Sequence, residues 1–336
     1  MSKGASGVRD LDVAVVIVSY RTADLAIRSI RALQAERSHP GIRVRVVVVD
    51  NASGDGAAIS QAMELNGWAA WTTLVVSDRN GGFGYGNNLG TACARAEAPP
   101  SYVYLLNPDA EVRPGAIAAL AHFLEAHPDV GIAGSSIVNS DGSDWPIAFR
   151  FPSLLSELES GLAIGLLTRL LRRWKVAREM AKAPQQVDWI CGASMMIRPA
   201  VLATIGGFDE NYFLYFEETD LCYRAARAGF QTWYVPASRV MHIRGQSTSV
   251  TDMTLAPRRL PAYWFESRRR YFAVTYGLRC AVAIDLVALS AHALGTAKRF
   301  LLGRRRTIVP HFLRDLLRSS VLWPKNRRFP PPRITV

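Results

Sequence analysis

The sequence contains few cysteines, and it lacks an uninterrupted apolar run long enough to cross a membrane. The four cysteines are far apart: Cys93, Cys191, Cys222 and Cys280. No Cys-x-x-Cys pair or zinc-type histidine spacing accompanies them, so we expect reduced cytosolic thiols rather than disulfides or a structural metal. A spanning helix needs about 20 apolar residues, but residues 280–297 are interrupted by Asp285 and His292. The first apolar run, residues 13–18, is too short for a signal peptide. We therefore expect no targeting or spanning segment.

Acidic residues are scarce only in the C-terminal quarter. The 336 residues include 40 Lys+Arg and 28 Asp+Glu. From Arg258 onward 17 basic residues accompany three acidic ones, so the remaining 23 basic and 25 acidic residues nearly cancel. This distribution indicates a neutral catalytic body with a cationic tail, and nucleic acid is not expected as a partner.

Strands and helices are predicted to alternate in the first half of the chain. Apolar, β-branched runs occur at residues 13–18, 44–49, 74–76 and 102–106, and helix-period segments at residues 23–36, 56–66, 87–96 and 115–126. This alternation indicates βαβ units, and continuous runs such as VVVVD fit strands that are covered on both faces. We predict an α/β fold with a mainly parallel sheet and a nucleotide-binding half over residues 1–135.

The rest of the chain predicts two further parts. Residues 136–250 form a second half of the same domain, and residues 251–336 form a helical, basic tail. The predicted elements of the second half are one or two Leu-rich helices at 153–182, a strand at 187–197, helices near Pro199 and at 217–228, and strands at 231–235 and 239–242.

The predicted strands all end in polar residues, and ligands of parallel sheets bind outside these carboxyl ends. The ends are Ser19-Tyr20-Arg21, Asp50-Asn51-Ala52-Ser53, Arg79-Asn80-Gly81-Gly82 and Asn107-Pro108-Asp109. Each alone is also ordinary turn chemistry. Asp109 is either a turn acceptor or a ligand for Mg²⁺ or Mn²⁺ shared with substrate phosphates. The glycines from Gly81 onward precede a helix that is predicted to begin near Asn87. The N-terminus of a helix favours binding of an anion.

Two neighbouring carboxylates, Glu217 and Glu218, open a predicted helix after an aromatic segment. First-turn carboxylates often interact only with the helix dipole. Consecutive helical residues point about 100° apart, so one can cap the helix while the other faces a cleft as a general base. His242 ends the last predicted strand and is either a metal ligand or a structural histidine.

Six motifs occur in a fixed order along the chain. They are VVIVSYRTADL (15–25), VVVVDNASGDG (46–56), NGGFGYGNNLG (80–90), LLNPDAEV (105–112), the stretch 191–230 that includes GGFDENYFLYFEETD, and VMHIRGQST (240–248). This order resembles the family 2 inverting glycosyltransferases with a GT-A fold, in particular the rhamnosyltransferase-like enzymes of bacterial polysaccharide biosynthesis. The resemblance covers about residues 12–250.

The resemblance implies roles for individual residues on the nucleotide-sugar side. Ser19, Tyr20 and Asp50 correspond to the pocket for the base and ribose. The stretch that flanks the base and diphosphate corresponds to Arg79, Asn80 and Gly82.

It also implies metal, catalytic and acceptor residues. Asn107 and Asp109 occupy the family's Asp-x-Asp metal motif, with Asn in place of the first acid. Glu218, next to Glu217, matches the catalytic base. His242 matches a histidine that completes the metal shell in several relatives, and the acceptor side is represented by Asp209 and Asp220.

The implied activity is transfer of a sugar from a dTDP- or UDP-sugar, with Mg²⁺ or Mn²⁺, to a lipid-linked or glycan acceptor. The implied donor is dTDP-rhamnose or another nucleotide-hexose. A dehydrogenase is disfavoured because SYRTADL after strand one has no glycine, and a nucleotidyltransferase because no Gly-rich loop with Lys or Arg follows that strand. A catalytically weakened glycan- or membrane-binding homologue stays open because of Asn107.

The basic tail predicts an association with membranes. Its clusters at 268–270, 298–299 and 304–306 alternate with apolar helical stretches. Such helices bind anionic membranes, although a solvated helix face has the same composition. We therefore expect a cytoplasmic protein held peripherally at the inner face of the cell membrane.

Overall fold

Strands and helices alternate through the first half, as the sequence predicts. The computed structural model describes residues 10–139, 143–162, 165–242, 258–303 and 308–334. The first elements are β1 (Leu11–Ser19), α1 (Ala23–Glu36), β2 (Ile42–Asp50), α2 (Gly56–Leu65), β3 (Thr72–Val76), α3 (Gly82–Glu97), β4 (Tyr102–Leu106), β5 (Ala110–Val112), α4 (Ala116–Ala126) and β6 (Val130–Val138).

The second half adds shorter elements and the tail helices. They are β7 (Asp144–Trp145), β8 (Ala148–Phe149), α5 (Leu154–Leu162), α6 (Gly165–Leu170), β9 (Gln185–Val187), β10 (Trp189–Ile190), β11 (Ser194–Ile197), α7 (Pro199–Ile205), α8 (Glu217–Arg227), β12 (Gln231–His242), α9 (Ala262–Tyr276), α10 (Leu278–Leu301) and α11 (Phe312–Ser319).

A ten-stranded sheet is the centre of the fold. Its main path runs β3-β2-β1-β4-β11-β6-β12-β5, with β7 beside β6 and β9 beside β12. The first four strands pair in parallel, as do β6 and β12, whereas the shorter strands pair antiparallel. The predicted α/β class with a mainly parallel sheet is therefore confirmed.

Apolar runs place β1 and β2 between two layers of helices. Val13 to Ile17 are fully buried, and Ala26, Ile30 and Leu33 of α1 belong to the same core. On the other side α3 lies so close to the sheet that a Cβ at Gly86 would be 2.6 Å from Cγ1 of Val18. This close approach requires glycine, and α3 accordingly begins at Gly82 rather than near Asn87 as predicted.

The middle of the chain differs most from the prediction. The predicted strand at 187–197 is divided into β9, β10 and β11, because β10 leaves the main sheet to pair with β8. The two strands predicted at 231–235 and 239–242 are one strand, β12, with a register shift between Val235 and Arg239. The Leu-rich helix predicted at 153–182 ends with a 3-10 turn at Arg172–Trp174.

The described part of the tail packs on the domain instead of extending from it. Arg268 is buried, with Nη1 2.6 Å from Oδ1 of Asp285 on α10 and Nη2 2.7 Å from Oε2 of Glu157 on α5. Arg270 is also buried and forms an ion pair with Asp209. The cluster at 268–270 is therefore internal, which corrects its expected place on a membrane-binding surface. The cluster at 304–306 lies outside the described residues.

Within the described residues, α10 is the single helix long and apolar enough to cross a membrane by length and composition. One side of it is packed: Asp285 accepts hydrogen bonds from Arg268, from Ser320 Oγ (2.8 Å) and from the amide of Val321 (2.9 Å). A buried, fully bonded carboxylate is typical of a helix packed on protein.

Candidate active site

A cleft of about 420 Å³ lies outside the carboxyl ends of the parallel strands. One wall comes from the residues that follow β1 to β4: Tyr20, Asn51, Asn80, Gly82 and Asn107. The opposite wall is apolar and consists of Phe213 and Leu214, which precede α8, and Tyr263 of α9. The cleft therefore lies where ligands of parallel sheets bind.

Two asparagine side chains shape the strand-end wall. Asn51 donates from Nδ2 to Oδ1 of Asn80 (3.1 Å) and to the carbonyl of Gly82 (3.0 Å). Asn80 Oδ1 also accepts from the amide of Gly82 (3.1 Å). Gly82 has φ +87° and lies against the backbone of Phe213, where no Cβ would fit. The family resemblance implies no role for Asn51, and its position after Asp50 at the end of β2 is the sequence signal that marks it.

Ser19 and Asp50 lie behind the cleft rather than in its wall. Ser19 is fully buried and donates from Oγ to Asp55 Oδ2 (3.3 Å). Asp50 is 1% exposed and accepts from the amides of Ser53 and Gly56, both at 2.9 Å. These bonds fix the loop before α2, so both side chains shape the cleft instead of lining it.

Arg79 lies beside the cleft wall, half-exposed. Its guanidinium is 4.2 Å from the ring centroid of Tyr85, and Nη2 is 3.8 Å from Oε2 of Glu210. Tyr20, 42% exposed, is the aromatic group that the strand-end wall presents to solvent.

Strand pairing brings Asp109 and His242 together. β12 pairs with β5 so that His242 is opposite Ala110, and Nε2 of His242 is 3.0 Å from Oδ1 of Asp109. The amide of Asn107 donates to the carbonyl of Ala193 (3.1 Å), which ties this loop to the segment before β11. One carboxylate and one imidazole fit a divalent ion that takes its other ligands from phosphates and water. No group of three His, Cys, Asp or Glu suited to a metal occurs in the part of the chain that the structure describes.

Glu217, which is buried, and Glu218, which is partly buried, form an acidic pair at the start of α8. Burial raises the pKa of Glu218, and burial together with the charge of Glu218 raises the pKa of Glu217 well above its usual range. A hydrogen bond between the two side chains raises the pKa of Glu217 and lowers that of Glu218. A hydrogen bond from the backbone N–H of Gly192 also lowers the pKa of Glu218. The pKa of Glu217 is therefore raised more than that of Glu218, and the two carboxyl groups titrate as a pair.

Residues 191–193 contact both the loop after β4 and the start of α8: the carbonyl of Ala193 accepts from the amide of Asn107, and the backbone of Gly192 is hydrogen-bonded to Glu218. Burial, with the charges of Glu218 and Asp109, raises the pKa of the Cys191 thiol to about 12. Both carboxylates are therefore near this protonated thiol, although they come from α8 and from the loop after β4.

A strained turn connects the apolar wall to the acidic pair. Tyr215 and Phe216 have φ of +69° and +67°, a left-handed conformation that is costly for bulky side chains. The tail supports this turn: the Phe216 ring is 5.5 Å from that of Tyr271, and Tyr215 stacks on Tyr263 with 6.1 Å between centroids.

Asp209 and Asp220, expected on the acceptor side, are buried and engaged by arginines. Arg270 donates from Nε to Asp209 Oδ2 (2.8 Å), and Arg224 donates from Nε to Asp220 Oδ2 (2.7 Å). The amide of Arg333 donates to Asp209 Oδ1 (3.1 Å), and Asn211 Nδ2 donates to the carbonyl of Pro331 (3.0 Å). The structure gives both aspartates a role in holding the segment ahead of the acidic pair.

Comparison with known proteins decides the family. Residues 10–276 match the sequence profile described as "Glycosyltransferase like family 2". The chain belongs to this family. The transferase is 31% identical over 248 residues to N-acetylglucosaminyl-diphospho-decaprenol L-rhamnosyltransferase of Mycobacterium tuberculosis (strain ATCC 25618 / H37Rv), covering 70% of this chain and 76% of that protein. It is 25% identical over 236 residues to rhamnosyltransferase WbbL of Escherichia coli (strain K12), covering 68% and 83%.

A solved structure gives the same fold for the transferase. GalNAc-T7 with UDP, GalNAc and Mn²⁺ superposes with a TM-score of 0.56 at 15% identity, covering 92% of this chain and 57% of that one. At this identity the likeness shows the fold alone, which is the expected GT-A fold. The profile match ends at Tyr276, the last residue of α9, so Tyr263 belongs to the region shared with the family.

Proposed function

We propose that this glycosyltransferase moves L-rhamnose from dTDP-L-rhamnose to a lipid-linked diphospho-sugar in cell-surface polysaccharide synthesis. The observation that carries the proposal is the strand-end cleft with the Asp109–His242 pair and the acidic pair close by. The names of the two rhamnosyltransferase relatives support the donor, and that of the Mycobacterium tuberculosis relative supports the acceptor.

We assign Asp109 and His242 as the protein ligands of a divalent ion. The imidazole nitrogen favours Mn²⁺ over Mg²⁺, because Mg²⁺ strongly prefers oxygen ligands. Such an ion, when bound, neutralises charge that develops on the departing diphosphate. Asn107 in the metal motif leaves Asp109 as its single carboxylate.

The acidic pair supplies the base. The acceptor hydroxyl oxygen bonds to the anomeric carbon of the sugar while the bond to the diphosphate oxygen breaks and its electron pair leaves with the diphosphate. Glu218 takes the hydroxyl proton, and Glu217 stays protonated and orients Glu218 through their hydrogen bond. A single displacement from the face opposite the leaving group inverts the anomeric centre.

A donor panel tests this proposal against a UDP-hexose donor and against a catalytically weakened homologue. Purified protein with Mn²⁺ is incubated with dTDP-L-rhamnose, UDP-glucose, UDP-N-acetylglucosamine or GDP-mannose, with and without an N-acetylglucosaminyl diphosphate on a short prenyl chain. We expect acceptor-dependent nucleotide release and the largest rise in melting temperature with dTDP-L-rhamnose, because a ligand of the native state stabilises it. A UDP-sugar that outperforms it contradicts the rhamnosyl assignment. Binding without transfer from any donor contradicts an enzymatic role.

We also propose that one side of α10 rests on an anionic membrane, where a lipid-linked acceptor is found. Leu286, Leu294 and Leu301 are 52%, 63% and 83% exposed and lie within about 80° of one another at 100° per residue. Arg279 is exposed near the start of the helix. Apolar burial and about 1 kcal/mol for each well-placed cation are sufficient for peripheral binding.

Liposome co-sedimentation tests the membrane face. Binding should rise with anionic lipid content and fall with salt, and Leu286→Ser with Leu294→Ser should weaken it. Leu65→Ser, at an exposed leucine of α2, is the matched control. Equal binding of both variants and the wild type excludes α10 as the contact.

A further inference from the structure

Tyr263 is the residue through which the tail enters the active-site cleft. It is the second residue of α9 and is distant in sequence from the strand ends that form the other wall. Its ring is 5.4 Å from that of Phe213 at 58° and 6.1 Å from that of Tyr215 at 18°. These three rings, which we call the aromatic wall, form a continuous apolar surface.

The two walls of the cleft differ in chemistry. Tyr20, Asn51, Asn80, Gly82 and Asn107 follow the strands and present mainly polar groups, as a nucleotide diphosphate requires. The aromatic wall presents ring surface instead. A hydrogen bond from the amide of Phe83 to the carbonyl of Phe213 (3.1 Å) fixes the distance between the walls.

The aromatic wall also leads directly into the acidic pair. Phe216 is the one residue between Tyr215 of the aromatic wall and Glu217 in the chain. A general base must lie within hydrogen-bond reach of the hydroxyl that it deprotonates. The acceptor must therefore approach along the side of the cleft that carries the base, and the rings on that side are placed to meet it.

We infer that Tyr263 is an acceptor-binding residue whose ring packs against the apolar C–H face of the acceptor sugar. This inference rests on the proposed transfer reaction and deepens it. The ring offers a flat apolar surface of the size of a pyranose, and its neighbours Phe213 and Tyr215 hold its orientation. The phenol stays protonated because burial raises the pKa of Tyr263.

Steady-state kinetics of three variants test the inference. For Tyr263→Ala, KM for the prenyl-linked N-acetylglucosaminyl diphosphate should rise by about tenfold, equivalent to about 1.4 kcal/mol. KM for dTDP-L-rhamnose should change by a much smaller factor, because the polar strand-end wall is assigned to the donor. Tyr263→Phe keeps the ring and should behave as the wild type. Trp323→Ala, at a half-exposed tail aromatic that does not line the cleft, is the control for loss of a tail ring.

Each outcome bears on a different statement. A Tyr263→Ala variant that raises both KM values by the same factor overturns the acceptor role. A Tyr263→Phe variant as impaired as Tyr263→Ala assigns the contact to the hydroxyl and overturns ring packing. If Tyr263→Ala melts far below the wild type, Tyr263→Leu, which keeps apolar volume, should still raise KM for the acceptor. A wild type that transfers to no acceptor instead refutes the proposed function.

Discussion

Replacing Glu218 by glutamine removes the proton acceptor while keeping the size and shape of the side chain. A positioned base contributes about 10²–10⁴-fold to the rate, so kcat of Glu218→Gln should fall by that factor. Donor binding should be unchanged, because Glu218 is not among the residues of the strand-end wall. Glu217→Gln keeps a donor to Glu218 and should lose no more than about tenfold, since a neutral hydrogen bond is worth about 1 kcal/mol.

The pH profile separates the two roles further. Burial raises the pKa of Glu218. Activity should therefore rise with pH through an apparent pKa above the ordinary glutamate value of about 4.3. Glu217→Leu keeps the burial but removes the hydrogen bond that lowers the pKa of Glu218. Its acidic limb should therefore shift to higher pH, whereas that of Glu217→Gln should not.

The assay is nucleotide release at saturating donor and acceptor between about pH 5 and pH 9, with donor binding followed by thermal shift. A larger loss of kcat in Glu217→Gln than in Glu218→Gln would mean that the two roles are reversed. An acidic limb of Glu217→Leu that moves to lower pH would refute the assigned direction of the hydrogen bond.

Two further predictions concern the metal pair and the tail. Asp109→Ala should lower Mn²⁺-dependent transfer by more than about 100-fold in chelator-stripped protein, because charge stabilisation by a metal is worth several kcal/mol; full activity with Mn²⁺ would remove Asp109 from the metal site. Arg268→Met should lower the free energy of unfolding by about 3–5 kcal/mol, because it leaves the carboxylate of Asp285 buried without its cation. Arg259→Met is the matched control in urea unfolding and should change little, since that guanidinium is 53% exposed; equal losses would contradict a special role for the buried pair.

The first strands and the chemistry at their ends could be predicted because those signals are local. The run from Val44 to Val49 indicates a strand covered on both faces, and the polar residues after it mark a ligand edge. The pairing of Asp109 with His242 followed from the family resemblance. Its physical cause, the register between β5 and β12, is not readable from composition.

Other features depend on partners distant in sequence. β6 contains glycine, alanine and two serines, and it is a strand because every one of its residues is buried between β11 and β12. The glycines after Gly81 read as a loop, yet they belong to α3 because the helix must approach Val18 closely. Arg268 and Arg270 read as a surface charge cluster, but their carboxylate partners Glu157 and Asp209 are 111 and 61 residues away.

The hydrogen bonds between the Asp209 turn and residues 331–333 also constrain when the active site can be completed during synthesis. Asn211 and its partner Pro331 are separated by 120 positions. At about 5–20 residues per second, translation of that interval takes roughly 6 to 24 s. During this time the segment that leads to Glu217 and Glu218 lacks the contacts that hold Asp209 and Asn211. A ribosome-bound chain therefore carries an unfinished active site until α9 and residues 331–333 have emerged.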